Sequence, residues 1–416
     1  MKRAVIIFIF LVLGAEAFPQ EPVPETSFRY RYLQLIYHTG VYWSRTEYLA
    51  GDFEDGYRSL EARFGLQTDG RQNWHQVHHY PRYGFGLHCS DLVMDREDTI
   101  AGNAYSAFVF YGAPWARFGR FTFNTDLSLG LTYNPLIHDP VTNPYNDVIA
   151  SHINLYFDFN LNLYYALTGR IDIHAGYGVT HYSNGRIHQP QKGVNHWGWN
   201  FGLNYHFRVP ERSTAWDRES AQQRNPSPEF APEGNIFPES KVTPEPGRGR
   251  FRPEFIREEK REFTPEGEFQ IMVAAGTVEL HQLGNIQGRR YLTSSFTADY
   301  ALQFNPRMRI TFGIDALYDG SLERAIKGLE PERVTTFQKT YFGSHMGYQF
   351  LIDRVTILGN LGTYFLQHSN DRGCWFIRAG GRVRITDHLH GHICIKTKNG
   401  VRADWIEWGL VTSLKI

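Results

Sequence analysis

The segment from His152 to Leu167 alternates between apolar and polar side chains over sixteen consecutive positions. Successive side chains of a β-strand point to opposite faces, so this pattern predicts one apolar face and one mostly polar face. A soluble sheet rarely needs such a long strand, whereas a membrane-crossing strand needs about 9 to 11 residues plus its extensions. We therefore predict a transmembrane strand. Its apolar positions are Ile153, Leu155, Phe157, Phe159, Leu161, Leu163, Tyr165 and Leu167.

The same alternation recurs in two groups of segments along the chain, which predicts about eight strands in each group. The first group lies near residues 28–37, 57–66, 83–90, 105–112, 118–133, 150–167, 171–182 and 195–207. The second group lies near residues 268–280, 291–304, 308–318, 337–351, 354–366, 374–386, 390–398 and 403–416.

The composition suits a β-barrel in a membrane and excludes other classes. Aromatic residues make up 15% of the chain and there are 39 glycines, which suits strands with aromatic girdles at both membrane interfaces. Beyond the N-terminus, no stretch approaches the roughly 20 apolar residues of a spanning helix, so a helical membrane protein is excluded. A formal net charge of zero gives no support for a nucleic-acid partner. The three cysteines show no metal-binding spacing, and we predict neither a metal site nor a cofactor.

Two segments differ from the strand pattern. Residues 1–17 combine Lys2 and Arg3 with a short apolar run and small residues, which predicts a signal peptide cleaved after Ala17 and an exported chain. Residues 209–266 are rich in Pro, Glu and Arg and poor in aliphatic residues, which predicts a disordered linker or loop. The predicted β-regions are therefore residues 18–208 and 267–416.

These features predict an all-β fold, an antiparallel transmembrane β-barrel, with two possible topologies. A single barrel of about 14–16 strands would carry residues 209–266 as a long internal loop. Two tandem eight-stranded barrels would use the same residues as a linker. With an even number of strands in each half, residues 209–266 lie on the same side of the membrane as both termini in either topology. We favour the single barrel, since one closure removes all sheet edges and needs one insertion event.

A potential base and a potential nucleophile lie at the end of the predicted strand 171–182. His181 and Ser183 are two residues apart and share the apolar parity of that strand, so both are expected on its lipid-facing side. Asn195 begins the next strand with the same outward parity, and the loop between them is short. An imidazole can take the proton of a serine hydroxyl, and a third group normally fixes its tautomer. We therefore predict that His181, Ser183 and Asn195 are the catalytic residues, with Asn184 and backbone amides near Gly185 at an oxyanion site.

The stretch HYSNGRIHQPQKGVN, followed by alternating WGWNFGLNYHF, resembles the signature of outer-membrane lipid A 3-O-deacylases of the PagL type. The resemblance is close over about thirty residues and extends over residues 27–207. It implies an eight-stranded barrel that hydrolyses an ester-linked acyl chain of lipid A, in the outer membrane of a Gram-negative bacterium. The catalytic His and Ser of the family fall on His181 and Ser183, and the Asn associated with its oxyanion site falls on Asn184. The acidic residue of the family falls on Asn195, so the carboxylate is missing here.

The remaining residues add context to this resemblance. Arg186 and Lys192 flank the predicted site and are either solvated loop charges or contacts for lipid A phosphates. The second half of the chain is similar to longer outer-membrane relatives described as acyloxyacyl hydrolases, and it has no catalytic motif of its own.

Two functional hypotheses follow. The first is an outer-membrane esterase that acts on lipopolysaccharide and needs no cofactor. The second is a barrel with weakened or lost activity that serves as a pore, an adhesin or a scaffold. The sequence gives no oligomeric state.

Overall fold

A computed structural model describes residues 31–43, 46, 48, 56–90, 102–190, 192–207, 263–280, 288–324, 333–369, 373–400 and 402–416. The predicted signal peptide lies outside these residues, as does the predicted linker up to residue 262. In the described part of the chain, no helix is both long enough and apolar enough to cross a membrane.

The first eight strands form a closed antiparallel barrel in which each strand pairs with the next along the chain. β8 returns to β1, with His206 opposite Tyr32 and Trp199 opposite Thr39. A short helix, α1 (Asn73–Val77), lies between β2 and β3. The strands are β1 (Arg31–Tyr42), β2 (Tyr57–Gln67), β3 (Arg82–Ser90), β4 (Tyr105–Phe118), β5 (Phe121–Tyr133), β6 (Ile153–Ala166), β7 (Ile171–Ser183) and β8 (Val194–His206).

The second eight strands form another closed barrel with the same neighbour-to-neighbour order. β16 closes on β9, with Lys415 opposite Glu268. A 3₁₀ helix, Gly320–Arg324, follows β11. The strands are β9 (Glu266–Leu280), β10 (Arg289–Asn305), β11 (Met308–Asp319), β12 (Thr340–Ile352), β13 (Val355–Leu366), β14 (Trp375–Arg384), β15 (Leu389–Lys398) and β16 (Arg402–Lys415).

The predicted single barrel of 14–16 strands is therefore wrong, and the alternative of two tandem eight-stranded barrels is confirmed. Closure removes the edges of a sheet at eight strands as completely as at sixteen. An eight-stranded barrel also has an interior that side chains alone can fill. The prediction of an all-β antiparallel barrel of the outer-membrane type is confirmed.

The polarity of the strands is reversed relative to a soluble barrel, as the alternation predicts. In β6 the lumen-facing Asp158 and Asn160 are buried, whereas Phe157 and Leu161 on the other face are 37% and 43% exposed. Backbone groups of a closed barrel are satisfied between strands, so an apolar outer surface can meet lipid without unpaired amides. The outer faces of both barrels are thus built for a bilayer.

Charged side chains lie buried in both lumens. In the first barrel, the Arg63 guanidinium binds Glu61, lies 3.1 Å from Asp126 Oδ2 and stacks 4.8 Å from the centre of the Phe110 ring. In the second, Arg378 Nε lies 2.6 Å from Glu407 Oε2. Buried charges of this kind need partners within the protein, and here they have them. Both interiors therefore contain charged side chains that pair with one another.

The two ends of the first barrel differ in the lengths of their connections. At one end, the connections 119–120 and 167–170 are short and 68–81 contains α1, whereas at the other end all four connections, 43–56, 91–104, 134–152 and 184–193, have ten residues or more. Outer-membrane barrels have short periplasmic turns and longer extracellular loops. The end of β7 and the start of β8 therefore lie at the extracellular end.

Candidate active site

His181 and Ser183 are the last two residues on one face of β7, at the extracellular rim. Their neighbours Thr180 and Tyr182 point into the barrel and are buried, so His181 and Ser183 point outward. The distance from His181 Nε2 to Ser183 Oγ is 2.9 Å, which is hydrogen-bonding distance. The two side chains that the sequence places on one face are therefore in direct contact.

Asn195 lies directly opposite His181 in the β7–β8 ladder. Its Oδ1 is 2.8 Å from His181 Nδ1, and its Nδ2 donates to the main-chain carbonyl of Trp43 at 3.1 Å. Because a carbonyl accepts only, the Trp43 contact turns the amide nitrogen away from the imidazole and presents Oδ1 to it. His181 then carries its proton on Nδ1, and Nε2 is left to accept the proton of Ser183.

Gly193 permits this arrangement by its lack of a side chain. Its φ is +67°, and a Cβ atom placed there would lie 2.9 Å from Ser183 Cβ and 3.0 Å from His181 Cε1. Both the left-handed backbone and the close approach favour glycine. The sequence interpretation did not include this residue, although a glycine in a short loop next to the motif was an available signal.

The loop that bears Gly193 is held against the first barrel. The Gly193 amide donates to the Val148 carbonyl at 3.1 Å. Val148 belongs to a buried apolar cluster that includes the inward-facing ends of β7 and β8. This packing fixes the strand ends from which His181, Ser183 and Asn195 project. The cluster consists of Ala104, Val148, Ile149, Tyr182 and Val194.

Asn184 and Gly185 form a tight turn directly after Ser183. Asn184 Oδ1 accepts a hydrogen bond from the Arg186 amide at 3.0 Å, and the Asn184 carbonyl accepts one from the Ile187 amide at 3.2 Å. In the part of the chain that the structure describes, neither Asn184 Nδ2 nor the Gly185 amide has a protein acceptor. Two N–H donors therefore belong to the two residues that follow the serine, and their role at an oxyanion site stays a prediction.

Arg186 and Lys192 each face a carboxylate of the protein. Arg186 is buried, and its Nη1 lies 3.4 Å from Asp404 Oδ1 of the second barrel. Lys192 binds the carboxylate of Asp147 in the β5–β6 loop. The sequence interpretation missed both partners, because each is far away along the chain. A role for the two cations in binding substrate stays a prediction.

Within the described ranges, no group of three or more His, Cys, Asp or Glu residues could hold a metal ion. The chemistry available at this site is that of a serine, an imidazole and amide donors. Fold and site together define a class of protein: an outer-membrane β-barrel with a Ser/His pair on the lipid-facing side of its extracellular rim.

Comparison with known families gives a more specific assignment. Residues 58–204 match the model of lipid A 3-O-deacylase (PagL), and residues 267–415 match the model of the acyloxyacyl hydrolase C-terminal domain. Together the two matches span most of the chain; the first covers β2 to β8 but not β1, and the second covers nearly the whole of the second barrel. The chain belongs to the PagL and acyloxyacyl hydrolase family in its two-part form.

Solved structures give more distant similarities, which concern the fold. Neisserial surface protein A is 13% identical, with 42% of this chain and 97% of that chain covered and a TM-score of 0.31. The outer-membrane enzyme PagL is 15% identical, with 41% and 97% covered and a TM-score of 0.27. CdiB from Escherichia coli is 9% identical, with 95% and 64% covered and a TM-score of 0.20. No curated protein matches the chain by sequence.

Proposed function

We propose that the protein is an esterase that removes the ester-linked acyl chain at the 3-position of lipid A in the outer leaflet of the outer membrane. The observation that carries this proposal is the hydrogen-bonded series Ser183–His181–Asn195 at the lipid-facing rim, with both bonds between 2.8 and 2.9 Å. Family membership supplies the substrate class. The site requires no cofactor.

In the proposed mechanism, His181 Nε2 takes the proton of Ser183 as Oγ attacks the ester carbonyl. The tetrahedral intermediate places its oxyanion against the Asn184 side-chain amide and the Gly185 amide. Collapse breaks the ester bond, and the protonated His181 gives its proton to the departing alkoxide of the glucosamine 3-oxygen. Water, activated by the same imidazole, then releases the fatty acid from the acyl-enzyme.

The position of the site suits a substrate embedded in a bilayer. Ser183 and His181 share the outward face of β7 with Tyr177, which is 37% exposed, whereas Ser183 itself is 7% exposed. In this proposal an acyl chain lying among lipids approaches along the outward face and reaches Ser183 from that side, without passing through the barrel interior. A pore was considered on the basis of a single wide barrel, and the chain forms two eight-stranded barrels instead.

The proposal is tested by mass spectrometry of lipid A from Gram-negative cells that make the wild-type protein and from cells that carry the empty vector. We expect the lipid A of the first cells to lose the mass of one 3-O-linked hydroxyacyl chain. Incubation of purified protein with lipid A should release the matching free fatty acid. Identical lipid A in both strains, with no fatty acid released in vitro, would contradict the proposal and favour the scaffold or adhesin hypothesis.

Asn195 offers a graded prediction about the third catalytic residue. An amide in place of a carboxylate commonly costs about 10⁴ in rate where it selects the wrong imidazole tautomer. Here the Trp43 carbonyl prevents selection of the wrong tautomer, so we expect Asn195→Ala to lower kcat by only about 10- to 100-fold. Asn195→Glu is expected to raise kcat above that of the wild type, because a carboxylate stabilises the imidazolium. Initial rates of fatty-acid release by the purified variants measure both effects.

The control for this pair is Asn134→Ala, which changes an asparagine at the same end of the barrel that does not contact His181. If Asn195→Ala retained the full rate, His181 would not depend on this amide.

A further inference from the structure

The second barrel contacts the segment of the β7–β8 loop that directly follows Ser183. We propose that it positions this segment, so that Asp404, Ile406 and Glu279 act as positioning residues for the oxyanion donors of Asn184 and Gly185. The part of this inference that concerns catalysis rests on the esterase function proposed above. The part that concerns the loop can be measured without it.

The first contact is apolar and lies at the turn itself. A Cβ atom on Gly185 would meet Ile406 Cγ1 at 2.5 Å and Ile406 Cδ1 at 2.6 Å, so the Ile406 side chain packs directly against this glycine. Ile406 points outward from β16, as do Trp408 and Leu410, yet it is buried whereas Trp408 and Leu410 are 41% and 52% exposed. The burial of Ile406 agrees with its packing against Gly185 of the first barrel.

The second contact is an ion pair made possible by an irregularity in β16. Lys396 is opposite Trp405 and Thr397 is opposite Ala403, so Asp404 is left without an opposite residue in the ladder. A bulge of this kind redirects a side chain. The fully buried Asp404 carboxylate lies 2.7 Å from Lys396 Nζ and 3.4 Å from Arg186 Nη1. Arg186 is thus held by the Asp404 carboxylate, which Lys396 of the second barrel already holds in place.

The third set of contacts surrounds Glu279 at the C-terminal end of β9. The Glu279 amide donates to the Arg186 carbonyl at 3.3 Å, and Gln189 Nε2 donates to the Glu279 carbonyl at 3.0 Å. His188 Nδ1 lies 3.4 Å from Glu279 Oε2, and Arg290 donates to the His188 ring at 2.8 Å. The segment 185–189 is therefore bound by side-chain and main-chain contacts to one partner surface.

These contacts bear on catalysis because of where they act. An oxyanion donor is effective only at hydrogen-bonding distance from the developing charge, and a displacement of about 1 Å can cost about 10²-fold in rate. Asn184 and Gly185 lie between Ser183, which the first barrel fixes, and Arg186, which the second barrel fixes. Loss of the second attachment frees one end of the turn that carries both donors.

The test uses the full-length protein with Asp404→Asn and Ile406→Ala, each with a matched control. Leu410→Ala changes an exposed, outward-facing residue of the same strand. Asp315→Asn changes a buried carboxylate of the same barrel whose partners are His345 at 2.7 Å and Arg378 at 3.0 Å. We expect the two test variants to lower kcat by about 10-fold with KM within about 2-fold, because the donors stabilise the transition state and not the bound substrate. Asp404→Glu should restore part of the rate.

The second readout is trypsin cleavage after Arg186, identified by mass spectrometry of the released peptides. A loop that opens locally is cut faster, so we expect about 10-fold faster cleavage in Asp404→Asn and Ile406→Ala and no change in the controls. Folding of each variant is checked by the heat-dependent migration of the barrels in gels. Ile406→Ala deprives no buried charge of its partner. It therefore carries the test if Asp404→Asn does not fold.

The outcomes separate the two proposals. If both test variants match their controls in cleavage and in kcat, the positioning role is overturned. If cleavage accelerates as expected but wild-type protein releases no fatty acid, the esterase proposal fails while the second barrel still holds the loop. If cleavage accelerates and kcat is unchanged, the contacts hold the loop without positioning the oxyanion donors, and the catalytic part is overturned.

Discussion

Ser183→Ala is expected to lower the rate of lipid A deacylation by about 10³-fold or more, to a level near that of cells without the protein. The variant removes the Oγ atom that lies 2.9 Å from His181 Nε2, and no acyl-enzyme can form without it. The barrel should still fold, because Ser183 lies at the end of its strand and loses only a hydroxyl group. Fatty-acid release by purified protein, and the lipid A mass profile of cells, measure the effect.

The control is Ser151→Ala, which removes a serine hydroxyl from the β5–β6 loop at the same end of the barrel. It should leave the rate unchanged within about 2-fold, since substitutions away from the reacting groups have small effects. Substantial activity in Ser183→Ala would show that Ser183 is not the nucleophile. In that case His181 would act on water directly.

Gly193→Ala is expected to lower kcat by about 10²- to 10³-fold, although the residue has no side chain to contribute. The new methyl group would lie 2.9 Å from Ser183 Cβ and 3.0 Å from His181 Cε1, so one of the two side chains or the loop must move. Either movement breaks the contact between imidazole and hydroxyl. Kinetics of the purified variant measure the loss, and labelling of Ser183 by a serine-reactive phosphonate should slow in parallel.

Gly119→Ala is the matched control for this substitution. Gly119 has a φ of +52°, also in the left-handed region, and a Cβ atom there would meet nothing within 4 Å. Both substitutions carry the cost of a positive φ, and only Gly193→Ala carries the clash. Equal activity of the two variants would mean that the space beside Gly193 has no role in arranging the site.

The alternation of side chains was sufficient to predict most of the strands. The prediction of 171–182 corresponds to β7 at Ile171–Ser183, because the pattern there is uninterrupted. The prediction of 105–112 ended too early, since β4 continues to Phe118 through a register shift between Pro114 and Ala116 that interrupts the period. Periodicity is therefore informative where the ladder is regular and misleading at bulges.

The alternation of side chains could not predict how the barrels close or which distant residues pair with one another. Whether β8 pairs with β1 or continues into the next sheet depends on contacts between strands that share the same pattern. The outward parity of His181, Ser183 and Asn195 could be predicted, because it follows from spacing along one hairpin. The partnership of Arg186 and Asp404 could not, because it joins residues 218 positions apart and depends on a bulge in β16.

The contact between Asn195 and Trp43 has a consequence for how this site tolerates change. The acceptor is the main-chain carbonyl of Trp43, which every amino acid has, so substitution of the Trp43 side chain leaves it in place. The correct orientation of the Asn195 amide is thus protected against point mutation at position 43. It is vulnerable instead to an insertion or deletion in the β1–β2 loop, which would move that carbonyl along the chain and allow the amide to rotate.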